Sequence, residues 1–523
     1  MLSITSLTEN VINFKTFEDN INLQVKNIGS NSIKTGLEKL DDQILNIRDK
    51  KIFRNKGKKR IDLKTTLAEV EVNRRIYLIN EEELEKIENK ENNIIYKIAR
   101  EKLDSGCKSI YLLDEILNLR QYGKLTESVV EIILRYIQDS SYRKTAQIVN
   151  EITGLEISAT CVWNIVQKVG NMLKDKEKEE IEKSENDLIK CQNKDNHIIF
   201  EELDGVYFTM QGKDKKEAIE KYKKAHPESN VPKSVRKKEL KVASVYEGWK
   251  KESKNRNSLI NKKIFAQVID NYNIKRTVNT YVNNTYDKDK LKLIVTNSDG
   301  GTWTKEKTKD KKIYQIDWFH VKQMVNRQVR EKEDRKTLIK YLSEKEYDKA
   351  VDMCEELKYK YDGEVKEIEK LNILKEYINK NKNNFIRYQE TEKFKKIKQE
   401  DFIYNNLGTQ ESTNYSKITK RFKRRRMSFS IAGADNLARV IAAVGSYDYK
   451  GLSKIFEIQI LPSKAIDEAE EYIKAIEKNI KDCNRVKKKR NNIKYNDSFN
   501  VHIPGLEYNK DKDLIEVKKL VFG

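Results

Sequence analysis

The sequence predicts a mixed α/β fold in which a mainly helical region precedes a strand-rich core. Three observations carry this. Between residues 197 and 320, five apolar, β-branched or aromatic runs are bounded by polar or Gly segments, as buried strands are. A helical stretch at about 275–290 separates the third run from the fourth, which suits a mixed sheet with a covering helix. Elsewhere apolar residues recur at helical spacing, and only 4 Pro and 19 Gly interrupt 523 residues.

At roughly 150 residues per domain the chain is long enough for about three domains and a sizeable core. Lys and Arg number 105 against 83 Asp and Glu, so a net charge of +22 favours polyanionic partners, with nucleic acid first. The composition excludes collagen-like and Pro-rich disordered classes. Five cysteines with no CxxC pair indicate neither a disulfide framework nor a cysteine zinc site, and suit a reducing compartment. No run approaches the ~18 apolar residues of a membrane span. The start, MLSITSLTENVINFKTFEDN, lacks a basic n-region followed by an apolar h-region, so a cytoplasmic protein without membrane contact is expected.

In chain order, residues 1–57 read as an N-terminal helical region (Leu37, Leu40, Ile44, Ile47). Residues 58–111 hold a β-hairpin around Ala68-Glu69 and a linker. Residues 112–175 are helical. There, a helix from Tyr142 to Ile152 turns Tyr142, Ala146, Val149 and Ile152 inward, the segment TGLEIS makes a turn, and a second helix buries Val162, Ile165, Val166 and Val169. This is a helix-turn-helix unit. Its opposite face carries Thr160, Asn164, Gln167, Lys168 and Asn171, types that pair with base edges and phosphates. The plain alternative is a helical hairpin with a wet polar face.

Residues 176–195 form a charged linker. The core begins at 196–320 with the runs 197–210, 239–248, 263–269, 292–301 and 312–320. Residues 321–400 are a helical insertion, residues 401–460 return to the core with a basic helix, and 461–523 are a basic tail with an amphipathic helix at Lys464–Lys481.

Three acids stand out by context. Asp204 lies within the strand-like IIFEELDGVYF, where an unpaired carboxylate is costly to bury. Asp299 follows LKLIVT in NSDGG, where two glycines permit a tight turn and close approach of a ligand at a strand end. Glu411 is the only acid from Phe402 to Ala434, ahead of seven basic residues in the ten from Lys417 to Arg426. On a helix starting near Thr409 it shares a face with Tyr415, Ile418 and Phe422, so it points inward while the bases face out. Asp401 and Asp435 are the other candidates for the third acid. The bland readings are a strand-edge ion pair, a turn-forming Asp and a helix N-terminal acid. Three convergent carboxylates suit Mg²⁺, a hard cation, with Mn²⁺ able to substitute, and two such ions would clamp a phosphodiester.

At these residues the chain resembles the DDE-type transposases of bacterial insertion sequences, most closely the ISLre-two family and more distantly the Mutator-like group. The matching segments are ELDGVYFTMQG, LKVASVYEGWK, IVTNSDGGTWTK, YQIDWFHVKQ, GTQES, RRRMSFSIAGADNLARVIA, YLLDEILNL and SSYRKTAQIVNEITGLEISATCVWNIVQ, spread from about Lys58 to Ala443. The resemblance implies an RNase H-like core, Mg²⁺-dependent cleavage at element ends and transfer of the freed 3′ hydroxyl into target DNA. Its triad would be Asp204, Asp299 and Glu411. Asp317-Trp318-Phe319-His320 resembles the (C/D)xxH signature that follows the second acid, which would bring His320 to the scissile or flanking strand; a structural histidine on a strand-to-helix turn is the alternative.

The expected function is therefore a DNA transposase of bacterial cytoplasm, associated with the nucleoid. The helix-turn-helix would read terminal inverted repeats through Thr160, Asn164, Gln167 and Lys168. Lys417, Lys420, Arg421, Arg424 and Arg425, with the connection WKKESKNRNSLINKK (249–263), would contact phosphates of element and target duplexes, giving a strong salt dependence. Trp249 and Trp303 flank these regions as stacking candidates. Pairing two ends calls for a homo-oligomer on DNA. The competing expectations are a catalytically inactive DNA-binding protein and a structure-selective nuclease that cuts without joining.

Overall fold

The computed structural model describes residues 13–87, 94–186, 191–253, 256–268, 274–301, 303–304, 310–400, 402–408, 415–423 and 427–446. These form two compact units, one of residues 13–62 and 67–118, the other of residues 63–66 and 119 onward. Among the described residues no helix is long and apolar enough to cross a membrane.

The first unit opens with α1 (Phe14–Ile47), capped by the Asn13 side chain, which accepts from the Thr16 N–H at 3.0 Å. A three-stranded sheet follows in the order β1 (Phe53–Lys64), β2 (Glu69–Ile79) and, after α2 (Glu81–Glu85) and α3 (Ile94–Asp104), β3 (Ser109–Ile110). Four residues join β1 to β2, too few for a parallel crossover, so the expected hairpin forms, starting five residues before Lys58. α4 (Leu112–Ile116) completes the unit. Buried Asp41 of α1 accepts the Arg75 backbone N–H at 3.0 Å and its guanidinium at 2.7 Å. Arg74 grips Asp114 with two nitrogens and lies 3.9 Å over the Tyr111 ring.

The second unit starts with α5 (Glu127–Ile137), α6 (Tyr142–Thr153) and α7 (Ala159–Glu185). The turn between α6 and α7 is specified locally. Gly154 takes the left-handed conformation (φ 75°) that ends α6, Asn150 bonds both the N–H and C=O of Ile157, and the Ser158 hydroxyl caps α7 at the Cys161 N–H. Ala146 and Val149 face inward as expected, but Ile152 is 47% exposed and Thr153 takes its place, since 152 lies at the margin of the stripe. α7 runs unbroken through the boundary expected at 175, because its alternating charges sustain i,i+4 pairs such as Glu179–Lys183.

The sheet follows: β4 (Ile198–Met210), α8 (Gly212–Ala225), β5 (Lys237–Tyr246), the hairpin β6 (Trp249–Ser253) and β7 (Arg256–Leu259), β8 (Lys263–Gln267), α9 (Ile274–Thr285), β9 (Leu293–Ser298) and β10 (Lys312–Ile316). Its order is β10-β9-β4-β5-β8. β5 is antiparallel to β4 and β8, while β9 is parallel to β4 and β10. The last run was expected to extend to residue 320; it stops at Ile316 because Asp317 caps α10 (Trp318–Gln328), accepting the Phe319 N–H at 2.8 Å. The helical insertion comprises α10, α11 (Lys332–Ser343), α12 (Tyr347–Lys360) and α13 (Val365–Asn381), then α14 (Glu392–Ile397). α15 (Tyr415–Lys423), β11 (Ser428–Phe429) beside β4, and α16 (Ile431–Ser446) close the unit.

One sheet face buries Val206, Phe208, Leu240 and Val242 against residues of α5, α6, α7, α15 and α16. The other buries Leu203, Ala243 and Val245 against Val278 and Val282 of α9. The amphipathic helix expected at Lys464–Lys481 lies outside the described residues.

Candidate active site

β4 is the central strand, and its pairing with parallel β9 ends at Leu203 opposite Ser298. Asp204 and Asp299 are the next residues along two strands spaced about 4.8 Å apart. Gly300 follows at φ +77°, a turn that lets the chain fold back so that Asp299 Oδ1 accepts the Gly301 N–H at 2.8 Å and the Thr304 hydroxyl at 2.9 Å. Asp204 Oδ1 accepts the N–H of Gly205 at 2.6 Å.

His320 joins from the first turn of α10, its Nε2 3.6 Å from Asp204 Oδ2, with the two side chains 24% and 19% exposed. Asp317 fixes that turn. Its N–H donates to the Ser298 carbonyl at 2.8 Å, and its Oδ2 accepts from Asn297 Nδ2 at 3.1 Å. Burial weighs against protonation of His320, but the hydrogen bond and charge of Asp204, then the charges of Asp317 and Asp299, outweigh it and hold the imidazole above its ordinary value.

Glu202, two residues before Asp204 on the same strand face, is a site residue that composition hides. It is buried, accepting the Tyr246 hydroxyl at 2.5 Å on Oε1 and the Gly408 N–H at 3.3 Å on Oε2. Gly408 also presses on Asp317: a Cβ there would come within 3.0 Å of Oδ2. The other face of β4 carries a polar knot in which Glu239 Oε1 accepts Trp303 Nε1 at 3.1 Å while Lys241 lies 5.4 Å over the indole.

Glu411, Arg424, Arg425 and the alternative acid Asp401 lie outside the described residues. The other alternative, Asp435, is 1% exposed, accepts the Val268 N–H at 2.7 Å and pairs with Arg439, so it serves the packing of α16 on the end of β8. Among the described residues no three His, Cys, Asp or Glu side chains gather closely enough to hold a metal ion. Asp204 and Asp299 are hard-oxygen donors, partly exposed where β9 ends beside β4, and as a pair they fit the oxygen preference of Mg²⁺.

Of the expected DNA-contacting residues, Thr160 and Asn164 are exposed on the first turns of α7, with Trp163 between them 44% exposed. Gln167 and Lys168 are tied into the fold instead. Gln167 accepts Asn436 Nδ2 at 2.9 Å, and Lys168 donates to the Gln121 carbonyl beside the Tyr122 ring. Lys417 falls on α15, and Lys420 is exposed, 3.5 Å from Asp139. Arg421 corrects the outward-facing expectation: it is 3% exposed, donates to the Ile137 carbonyl at 3.2 Å and lies 5.3 Å from both the Tyr142 and Phe429 rings. Burial holds its pKa below the ordinary arginine value. Trp249 is core, packed edge-on against Phe200 at 4.9 Å.

Fold and site together define a mixed α/β protein whose sheet brings two aspartates and an imidazole together where β9 ends beside the middle of β4. The chain belongs to the uncharacterised protein family UPF0236, which matches residues 7–86, 77–229 and 223–454. Among curated proteins none matches the sequence.

Proposed function

We propose that this chain is a DNA transposase that binds the terminal inverted repeats of its element and performs Mg²⁺-dependent cleavage and strand transfer. The observation that carries this reading is the register of Asp204 and Asp299, consecutive to the last parallel pair, with His320 on Asp204. A five-strand order β10-β9-β4-β5-β8 in which β5 alone runs opposite to the other four supports an RNase H-like core.

Asp204 and Asp299, with Glu411 as third ligand, would hold the metal, which when bound would activate the attacking hydroxyl and stabilise the leaving 3′ oxygen. Gly408, three residues before Glu411 in the sequence, donates its N–H to Glu202, which shares a strand face with Asp204, and this contact supports the choice of Glu411 as the third ligand. His320 orients the Asp204 carboxylate and offers an N–H beside the reacting phosphate. Thr160 and Asn164 would read bases from α7. No covalent enzyme intermediate is needed, because water and then the 3′ hydroxyl attack phosphorus directly once held in line. Two such chains would pair two element ends.

The test is strand transfer with purified protein, Mg²⁺ and labelled ends from the DNA flanking its gene, beside Asp204→Ala, Asp299→Ala and Glu411→Ala. Joined product from the wild type alone supports the triad. Full activity in any variant removes that residue from it, cleavage without joining favours a nuclease, and binding without either favours a non-catalytic DNA-binding protein.

A further inference from the structure

The connection from β4 to β5 is a structured basic arm. From Gln211 to Lys238 it carries ten Lys and Arg against four Asp and Glu, so these 28 residues hold six of the chain's net +22 charges. α8 makes up its first half and buries no residue, and a 3₁₀ turn at Lys233–Arg236 leads into β5. Beyond its first turn, only a half-buried stripe of Ala218, Ile219 and Tyr222 faces the protein, Ala218 against the core, and the rest of the helix surface is open to solvent. Lys213, Lys216, Lys221, Lys223 and Lys224 are exposed on it.

The root of the arm is pinned. Gln211 donates its N–H to the Phe429 carbonyl at 2.9 Å and accepts the Ser428 hydroxyl at 3.2 Å, while Asp214 Oδ2 accepts the Ile431 N–H at 2.6 Å. These contacts tie the arm to the segment that follows α15, whose last residue, Lys423, is exposed. Two basic stretches about 200 residues apart in sequence thus meet at one end of β4. Six residues of strand separate Asp204 from Met210, which places the root about 20 Å beyond the acid, close to the rise of six base pairs of duplex.

We infer that this arm is a duplex-binding surface that holds the phosphate backbone of DNA about six base pairs from the reacting phosphate. The inference rests on the functional reading above. Lysines act as point charges rather than bidentate base readers, so the arm meets the backbone and is independent of sequence.

The test measures affinity of the full-length chain for a mixed-sequence DNA duplex across a salt series. One variant combines Lys213→Gln, Lys216→Gln, Lys221→Gln, Lys223→Gln and Lys224→Gln; a control neutralises Lys332, Lys336, Lys340, Lys349 and Lys366 in the insertion in the same way. Every phosphate that is no longer neutralised lowers the slope of log affinity against log salt by about 0.9, so the arm variant is expected to fall short of the wild-type slope by about 2 or more while the control keeps it. Lysine-to-arginine changes at the five arm positions are expected to retain it. An arm variant with unchanged circular dichroism and an unchanged slope overturns the arm and leaves the transposase reading standing. Equal decreases in arm and control variants reduce the effect to net charge and also overturn it. A wild type that binds no duplex sinks both.

Discussion

Glu202 and Gly408 are 206 positions apart in sequence, yet the N–H of Gly408 donates to the Glu202 carboxylate at 3.3 Å. The same carboxylate holds the Tyr246 hydroxyl, so a buried acid couples the central strand to the chain leading toward Glu411. Glu202→Ala takes one acceptor from the buried Tyr246 hydroxyl, at about 1–3 kcal/mol, and another from the half-buried Gly408 N–H, at less. The expected outcome is a lower urea midpoint and strand transfer reduced more than tenfold, with end affinity kept. Glu202→Gln, which preserves one acceptor oxygen, is expected to fall between. Wild-type transfer by the alanine variant would show that the tether does not position the third acid.

His320 supplies a pH test. Its imidazole is held above the ordinary histidine value of 6.5 because Asp204 favours the protonated form. A group raised in this way stabilises the fold fully below about 6.5 and loses that contribution as pH rises through the folded value. Asp204→Asn removes the charge and leaves burial dominant, so the His320 ring resonances are expected to titrate at lower pH than in the wild type. An identical midpoint in both proteins would rule out the pairing.

Gly170 is where α7 and α16 cross most closely. A Cβ there would lie 2.4 Å from Asn436 Cβ and 2.6 Å from its Cα, contacts with backbone that cannot swing away. Gly170→Ala is expected to cost about 1–3 kcal/mol or more despite the better helix propensity of alanine. Thermal unfolding decides it, and a stabilised variant would contradict the crossing.

Arg421 and Lys423 separate structure from binding on one helix. Arg421→Ala is expected to lower the unfolding midpoint, since the Ile137 carbonyl and two ring faces lose their cation, while leaving the salt dependence of DNA affinity unchanged. Lys423→Gln is expected to do the reverse. Paired melts and salt titrations would expose a swapped assignment.

Thiol chemistry tests the insertion. Burial pushes the Cys354 thiol up to about 11 in the α12 core, whereas Cys107 is exposed. Pulse alkylation at pH 8 followed by peptide mapping is expected to label Cys107 long before Cys354. Equal labelling would mean that α12 opens readily.

The strands of the core are legible because alternating or continuous apolar runs have few other uses, and Asp204 and Asp299 stand out as acids inside and just after such runs. The run KIYQIDWFH misleads at its end: the apolar pattern continues through Trp318 and Phe319, while the Asp317 side chain starts a helix. Arg421 is illegible locally, since seven bases in ten residues read as an outward face and only the carbonyl of Ile137, far away in sequence, takes its side chain inside. Glu202 does carry a signal, the two-residue spacing that puts it on the face of Asp204, but in a chain with 83 acids the period alone does not single it out. The arm after β4 is visible as charge; its anchoring to Ser428 and Ile431 is not.

α7 is 27 residues long, about 40 Å of continuous helix. Its first turns expose Thr160 and Asn164, its middle is held to α16 by Gly170 and by Glu177 on Arg439, and Ser184 near its end bonds Asn284 of α9 at 3.0 Å. Fastened at these points, it holds Thr160 and Asn164 at a fixed spacing from the sheet that carries Asp204. If the proposed transposase reads bases through Thr160 and Asn164, a fixed spacing makes helical phase matter as much as sequence. Inserting about five base pairs between the recognised bases and the cut turns the scissile phosphate to the far side of the duplex, about half of a 10–10.5 base-pair turn away.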